Sequence, residues 1–499
     1  MVCWLTKPAF LLGACIWVPA LQGMQSDVAF PPEVYAGRRA RLMDRLEGAP
    51  VIVPGRYLIR NSGRDKQDPN FWYLTGVESP YAILVMAPGP AAMREILFLP
   101  EQFQFAGVQY PFPDDRMRRA AWNWPIRRLS PGAQAQRATG ISETYPIDEF
   151  AERLPQIVAG AETVWIVREG GTLYHPPGLG SPPITLGEHF ERAVTNLLAP
   201  APAPAHAHVN DATPMVERMR LVKDVFEIAA LRRAAEISAI GLRELMGKIR
   251  PGMNDQEAAG LLEYVWQREG SPRTSFGRIV TSGPAAVSLY TLKSENYNST
   301  DRVMQDGELL YVDYGAAEWR TYTSDISRVY PVSGRFSPEQ RRLYEIVLEA
   351  QEAALATIEP GVMMVDVIRA AAAVFREHDL EQYEDIDRMG IDRVWGVMPS
   401  PTYWLAQSGT LTDYSGARGT GVRDLGHHIG LEALDSRDYS TPLEVGMVFT
   451  VEPKLYVPEL GIAIMIEDMV VVTEDGYDNL SKDAPKTVEE IERIMAERN

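Results

Sequence analysis

Acidic residues stand inside strongly apolar segments of the C-terminal half of this chain, which limits how those segments can fold. The segments predicted to be strands cover 309–315, 324–330, 447–453 and 461–471, and the acids in them are Asp313, Asp325, Glu452 and Glu467. An ionised carboxylate in a buried strand is costly unless it is paired or bound to a metal. Segments 309–315 and 324–330 read as a strand and its returning neighbour, so we expect Asp313 and Asp325 to lie on adjacent strands.

His427, in Leu425–Gly430, adds an imidazole to these four carboxylates. The set suits a pair of manganese, cobalt, iron or zinc ions better than one structural zinc. Both cysteines, Cys3 and Cys15, lie in the first fifteen residues, so oxygen and nitrogen must supply the ligands. Two ions about 3.5–4 Å apart could bridge a hydroxide that attacks an amide carbonyl. Taken singly, each acid could instead cap a turn or face water.

The length of the chain, 499 residues, favours two domains. We predict a leader over 1–29, an α/β domain over 30–196, an Ala/Pro-rich linker over 197–214 and a second domain over 215–499. Within the first domain, 82–86 and 95–99 read as strands.

The second domain repeats one pattern. A helix capped by Asp224 with Glu227 at the capping-box position ends near Pro251-Gly252, and a second helix begins at Ser337-Pro338 and ends near Pro360-Gly361. Further helices are predicted over 255–268 and 365–376, each followed by strands. This order suggests a duplicated, pseudo-twofold domain; two unrelated helices with a common Pro-Gly stop are the alternative.

The N-terminus resembles an export signal, with Lys7 before the apolar run 10–18 and small residues suited to cleavage after Ala20. Leu12–Cys15 also resembles a lipobox, which would anchor Cys15 to lipid. We therefore expect a periplasmic protein or a membrane-anchored lipoprotein, or a cytoplasmic one if the run is not a signal. No other stretch is apolar and long enough to span a bilayer.

A formal net charge of −18, with no basic cluster, argues against nucleic-acid binding. His206 and His208, in the Ala/Pro-rich segment, could chelate a metal, although a solvated segment is the simpler interpretation.

Several motifs resemble the pita-bread metallopeptidases, specifically aminopeptidase P and the related prolidase. The motifs are Asp68–Gly76, Ile96–Pro100 and Met219–Lys223, together with Glu227-Ile228. The resemblance covers nearly all of the chain after the leader. It implies an α/β N-terminal domain before a pita-bread catalytic domain, and an aminopeptidase that cleaves peptides before proline. It also implies two divalent metal ions, with manganese as the expected metal. It further implies a homo-oligomer, either a dimer or a tetramer.

The resemblance also assigns site roles. Asp313 matches a chelating ligand of one metal, Asp325 and Glu467 match the bridging carboxylates, and His427 and Glu452 match ligands of the second metal, with Glu452 also the general base. Asp313 and Asp325 are one residue further apart than is usual in the family, which we interpret as a longer hairpin turn over 316–320.

The residues around this set depart from the family pattern. Three histidine positions that bind substrate or shuttle protons hold Tyr290, Arg423 and Leu434, an arginine position holds Met465, and a glycine position holds Lys454. Leucine can neither donate a hydrogen bond nor carry a proton. Altered substrates, such as dipeptides or peptides without proline, or a metal-binding protein without catalysis are therefore the alternatives.

Trp124, in 124–129, loosely resembles a tryptophan motif by which a neighbouring subunit approaches the active site. Burial in its own domain is an equal alternative.

Overall fold

The structure, a computed structural model, describes residues 28–56, 66–90, 92–101, 104–105, 108–109, 129–168, 186–199, 208–288, 301–315, 317–378, 380, 426–435, 441–457 and 460–497. The signal segment with Cys15, and also Trp124, His206, Tyr290 and Arg423, lie outside these ranges. Export, lipid anchoring and the assembly state therefore stay predictions.

The helices are α1 Pro32–Arg45, α2 Pro69–Thr75, α3 Ala133–Thr139, α4 Phe150–Ile157, α5 Leu186–Leu198, α6 Thr213–Leu221, α7 Val225–Met246, α8 Asp255–Arg268, α9 Pro284–Ser288, α10 Pro338–Leu355, α11 Met364–Glu377 and α12 Val488–Ala496. The strands are β1 Val51–Pro54, β2 Ile83–Pro88, β3 Met93–Leu99, β4 Gln104–Phe105, β5 Val108–Gln109, β6 Glu143–Pro146, β7 Thr163–Ile166, β8 His208–Asp211, β9 Val280–Ser282, β10 Leu309–Asp313, β11 Glu318–Trp319, β12 Tyr322–Thr323, β13 Ser327–Pro331, β14 Val448–Val451, β15 Lys454–Val457, β16 Ile462–Met465, β17 Asp468–Thr473 and β18 Gly476–Asn479. No helix of these residues is long and apolar enough to cross a membrane.

The first part of the chain forms a mixed six-stranded sheet in the order β6-β3-β2-β1-β7-β8. Strands β1, β2 and β3 pair antiparallel, whereas β6, β7 and β8 each add in parallel. All four residues of β1 are buried, as expected for a central strand covered on both faces. The strands predicted over 82–86 and 95–99 are confirmed by β2 and β3, and the α/β class is confirmed with them.

The predicted linker over 197–214 contains ordered structure. Helix α5 continues to Leu198, and β8 lies at the edge of the sheet, parallel to β7. Edge pairing needs only backbone groups, so an Ala/Pro-rich composition does not reveal it. His208 therefore lies in a strand, exposed to solvent, and the domain bounds remain predictions.

Two helix pairs organise the second part of the chain. Helix α7 packs on α8, and α10 packs on α11. The predicted capping box of Asp224 and Glu227 is present at α7. Ser337 and Gln340 form a second capping box at α10, where the sequence predicted only the start of the helix. Each pair is followed by strands, so the helix-helix-strand order predicted from the sequence occurs twice in the second part of the chain.

Strands of this domain place polar residues at their ends. Strand β10 lies between β9 and β13, β17 lies between β14 and β18, and β15 pairs with β16. Asp313 ends β10 opposite Ser327, which begins β13. The prediction that Asp325 lies within the returning strand is wrong by two residues, because a small hairpin, β11–β12, precedes it. Arg320 and Thr321 form its turn with φ values of 51° and 74°, a left-handed conformation that is uncommon outside glycine.

Candidate metal centre

The five predicted ligands all lie at or beside strand ends and are between 1% and 8% exposed. Asp313 ends β10, Asp325 precedes β13, Glu452 follows β14, Glu467 lies between β16 and β17, and His427 lies in the segment before β14. Strands of three separate sheets therefore gather side chains that are up to 154 positions apart in sequence.

Three of these side chains form a compact cluster. Asp325, His427 and Glu467 each offer a ligand atom, and these atoms lie within 4.8 Å of one another. His427 Nε2 is 3.4 Å from Asp325 Oδ2 and 3.8 Å from Glu452 Oε1. Glu452 thus borders the cluster, and Asp313 lies close enough for its charge to raise the pKa of both Asp325 and Glu467.

Backbone contacts fix the direction of the imidazole. His427 N donates to Thr450 Oγ1 at 3.1 Å, and Thr450 N donates to His427 O at 2.9 Å. Gly426 lies so close to β14 that an added Cβ would overlap Thr450 O. His427 Nδ1 lies 3.4 Å from His428 O, so Nε2 faces the carboxylates. A second contact at one ring nitrogen is the usual way to orient a metal-binding histidine.

Glu467 is held from the neighbouring strand. Ser327 Oγ donates to Glu467 Oε2 at 2.6 Å, and Glu467 N donates to Ser327 O at 3.1 Å. Arg328, fully buried, donates to Glu467 O at 2.5 Å and pairs with Asp468 at 2.6 Å. The carboxylate that approaches Asp325 is therefore anchored at both its side chain and its backbone.

The electrostatics of the cluster favour a bound cation or a retained proton. Burial raises the pKa of Asp325 well above its usual range, and the charges of Asp313 and Glu452 raise it further. Burial likewise raises the pKa of Glu467, and Asp325 is the largest of the charges that add to it. Asp325 Oδ1 is buried and has no hydrogen-bond partner among the described residues. A hard or borderline divalent ion satisfies such oxygen-rich donors, so the residues present fit a metal site.

Leu434 is half-buried in the wall of a cavity of about 650 Å³. The cavity lies between the two parts of the chain, with Arg56 and Lys66 on one side and Leu431 and Leu434 on the other. Among the residues that line it, none is one of the five predicted ligands. The segment 426–435 connects His427 to this cavity.

The two other departures lie opposite each other. Lys454 pairs with Met465 in the β15–β16 register. Met465 is fully buried and accepts a hydrogen bond from Tyr311 OH at 3.2 Å. Lys454 Nζ lies 3.2 Å from Glu452 Oε2, so a cation contacts one of the predicted ligands.

Ser327 and Thr450, which hold Glu467 and His427, were not predicted from the sequence. Lys454 was predicted only as a departure from the family pattern. The sequence did contain a signal for both hydroxyl residues. Ser327 is two residues from Asp325 and Thr450 is two residues from Glu452, and residues two apart in a strand share a face.

Two family models match the chain. Residues 229–474 match the metallopeptidase family M24, and residues 35–165 match the aminopeptidase P N-terminal domain. The Xaa-Pro aminopeptidase of Escherichia coli K12 is 30% identical over 480 residues, which is 92% of this chain and 97% of that protein. Human Xaa-Pro aminopeptidase 3 is 28% identical over 448 residues, which is 86% of this chain and 77% of that protein.

Solved structures agree with these sequence matches. Zinc-substituted E. coli aminopeptidase P in complex with product superposes with a TM-score of 0.70 at 28% identity, covering 94% of this chain and 98% of that one. Pseudomonas aeruginosa aminopeptidase PepP also gives 0.70 at 28% identity, covering 94% and 99%.

Proposed function

Because this chain belongs to metallopeptidase family M24, in its aminopeptidase P group, we propose that it removes single N-terminal residues from peptides whose second residue is proline. The observation that carries the proposal is the buried cluster of Asp325, His427 and Glu467, with Asp313 and Glu452 beside it. The matches to Xaa-Pro aminopeptidases over nearly the whole chain support the substrate class.

We assign the five ligands to two divalent ions. Asp325 and Glu467 would bridge them, Asp313 would complete one site, and His427 and Glu452 would complete the other. Four carboxylates and one imidazole favour manganese, with cobalt, iron or zinc as substitutes. When bound, such a pair lowers the pKa of water at the site and polarises the scissile carbonyl.

The chain itself supplies orientation and proton transfer. Glu452 is the proposed base: its Oε1 lies on the side of His427 and Thr450, at 3.8 Å and 3.5 Å, where it can take a proton from an attacking water. Its Oε2 is held by Lys454. Because the cluster is almost entirely buried, protein dipoles replace bulk water around the reacting atoms.

An altered substrate is the second candidate, and Leu434 favours it. An apolar side chain in the cavity wall offers no proton and no hydrogen bond to a peptide. Peptides without proline, and dipeptides, belong in the same assay as Xaa-Pro peptides. A protein that binds metal but hydrolyses none of these would support the interpretation of lost catalysis.

The test combines metal analysis with a peptide panel on one preparation. After chelator treatment and addition of Mn²⁺, the protein should release the first residue of Xaa-Pro peptides. Glu452→Ala should lower kcat by about 10²–10⁴-fold, whereas Glu359→Ala, an exposed glutamate outside the cluster, should not. A metal-loaded protein inactive on every Xaa-Pro peptide would defeat the proposal.

A further inference from the structure

Lys454 places an ammonium group inside the predicted metal centre. Its side chain and that of Glu452 are both 7% exposed, and Nζ lies 3.2 Å from Glu452 Oε2. Lys454 is the first residue of β15 and lies opposite Met465, which is fully buried. This lysine is therefore not a surface residue that reaches inward, but a buried cation built into the strand pair.

A buried ammonium is as costly as a buried carboxylate unless opposite charge compensates it. Here the compensation comes from the acid cluster, and the charge of Lys454 also acts on Asp325. The lysine therefore supplies one positive charge that the cluster retains without any metal ion.

The contact also divides the two oxygens of Glu452. Oε2 is engaged by Lys454, and Oε1 lies toward His427 and Thr450. On this side of the cluster, a divalent ion must approach a carboxylate that already has a cation partner. Glu467, which is assigned to both ions, is held by Ser327, a neutral donor. The ammonium contacts Glu452, a ligand of one ion, so it opposes the ion on the Glu452 side more strongly than the other ion.

We propose that Lys454 is a positioning residue that holds Glu452 before metal binds and makes the two divalent sites unequal, the Glu452 side being the weaker. The inference rests on the ligand assignment of the proposed function. It requires that removal of the ammonium strengthens the weaker site and destabilises the metal-free protein.

Equilibrium dialysis of the full chain against Mn²⁺ tests this directly. The natural protein should bind a first ion at least about tenfold more tightly than a second. Lys454→Met should bring the two dissociation constants together and lower the melting temperature in EDTA. Lys454→Arg, which keeps the charge, should preserve both the gap and the melting temperature, an outcome that a merely structural role of the stem does not explain.

Lys486→Met is the matched control, since Lys486 pairs with Asp468 at 2.8 Å rather than with a predicted ligand. It should lower stability while leaving the ratio of the two Mn²⁺ constants unchanged. Equal constants in the natural protein, or a ratio unaltered by Lys454→Met, would overturn the inference.

A measurement on the natural protein covers the case in which Lys454→Met does not fold. With one equivalent of Mn²⁺, electron paramagnetic resonance should show isolated ions, and a spin-coupled spectrum at that ratio would overturn the inference. If the protein binds no Mn²⁺ at all, the proposed function fails as well. If it binds two ions equally and hydrolyses Xaa-Pro peptides, only the inference about Lys454 fails.

Discussion

Replacing Asp325 by asparagine removes a buried titratable carboxyl group while keeping the shape of the side chain. Burial raises the pKa of Asp325 well above its usual range, and the charges of Asp313 and Glu452 add to the effect. In the metal-free protein, the folded state therefore retains a proton that the unfolded chain releases above a pH of about 4. Since the unfolded state then binds fewer protons than the folded state, the free energy of unfolding falls as pH rises.

The size of this effect follows from linkage. Each proton retained on folding lowers the free energy of unfolding by about 1.4 kcal/mol per pH unit, until the pH reaches the pKa of the folded state. Asparagine carries no such proton, and its introduction also removes the charge that contributes most to raising the pKa of Glu467. We therefore expect metal-free Asp325→Asn to be more stable than the natural protein, by an amount that grows as pH rises above about 5 until the folded-state carboxyl releases its proton. For a domain of about 285 residues the growth corresponds to roughly 2–3 °C per pH unit.

Thermal unfolding in EDTA at several pH values measures the difference, with Asp475→Asn, an exposed aspartate, as the control that should show no trend. In saturating Mn²⁺ the order should reverse, because a ligand stabilises only the protein that binds it. If metal-free Asp325→Asn is less stable than the natural protein at pH 8, or if the difference does not vary with pH, the reasoning about the buried charge is refuted.

Three further substitutions test other parts of the site. Arg328→Met leaves the fully buried Asp468 without its guanidinium, so we expect a loss of about 3–5 kcal/mol, measured by urea unfolding; a loss below ~1 kcal/mol would contradict this. Gly426→Ala places a Cβ against Thr450 O and should weaken Mn²⁺ binding by about 10–100-fold in equilibrium dialysis; unchanged binding would show that the close approach of Gly426 does not set the position of the imidazole. Leu434→His adds a proton carrier to the cavity wall and should raise kcat/KM for Xaa-Pro peptides by up to about 10²-fold; an unchanged kcat/KM would show that this wall does not meet the reacting bond.

Local chemistry made the helices of the catalytic domain predictable from sequence. Asp224 and Ser337 each form a capping box with the residue three positions later. No distant contact is therefore needed to define where each helix begins. The strands that carry the acids were also predictable, because an apolar run interrupted by a carboxylate is rare without a partner. The five candidate ligands were predicted from acids in apolar segments and from His427, whereas their individual roles came from the resemblance to a family and await the experiments above.

Features that depend on pairing between distant segments were not predictable in the same way. Whether Asp325 lies inside a strand depends on the β11–β12 hairpin, whose turn uses non-glycine residues at positive φ and so lacks the usual turn signal. The ordering of β8 depends on a free edge of a sheet formed more than forty residues earlier. Lys454 differs from both cases. The sequence indicates that it departs from the family pattern, but only its register with Met465 shows that its side chain is buried.

The precision of the candidate site therefore depends on strand register rather than on the ligands alone. Ser327 holds Glu467 because β13 places it opposite Asp313, and Thr450 holds His427 because β14 runs beside Gly426. Side chains alternate along a strand, so a slip of one residue would turn either hydroxyl to the opposite face and release its ligand. The apolar residues that fix each register are therefore expected to contribute to the proposed metal site by keeping Ser327 and Thr450 on the correct face. This dependence is consistent with Asp313 and Glu452 lying at the ends of the fully buried strands β10 and β14, where the strand sets the register and the side chain can face its neighbours.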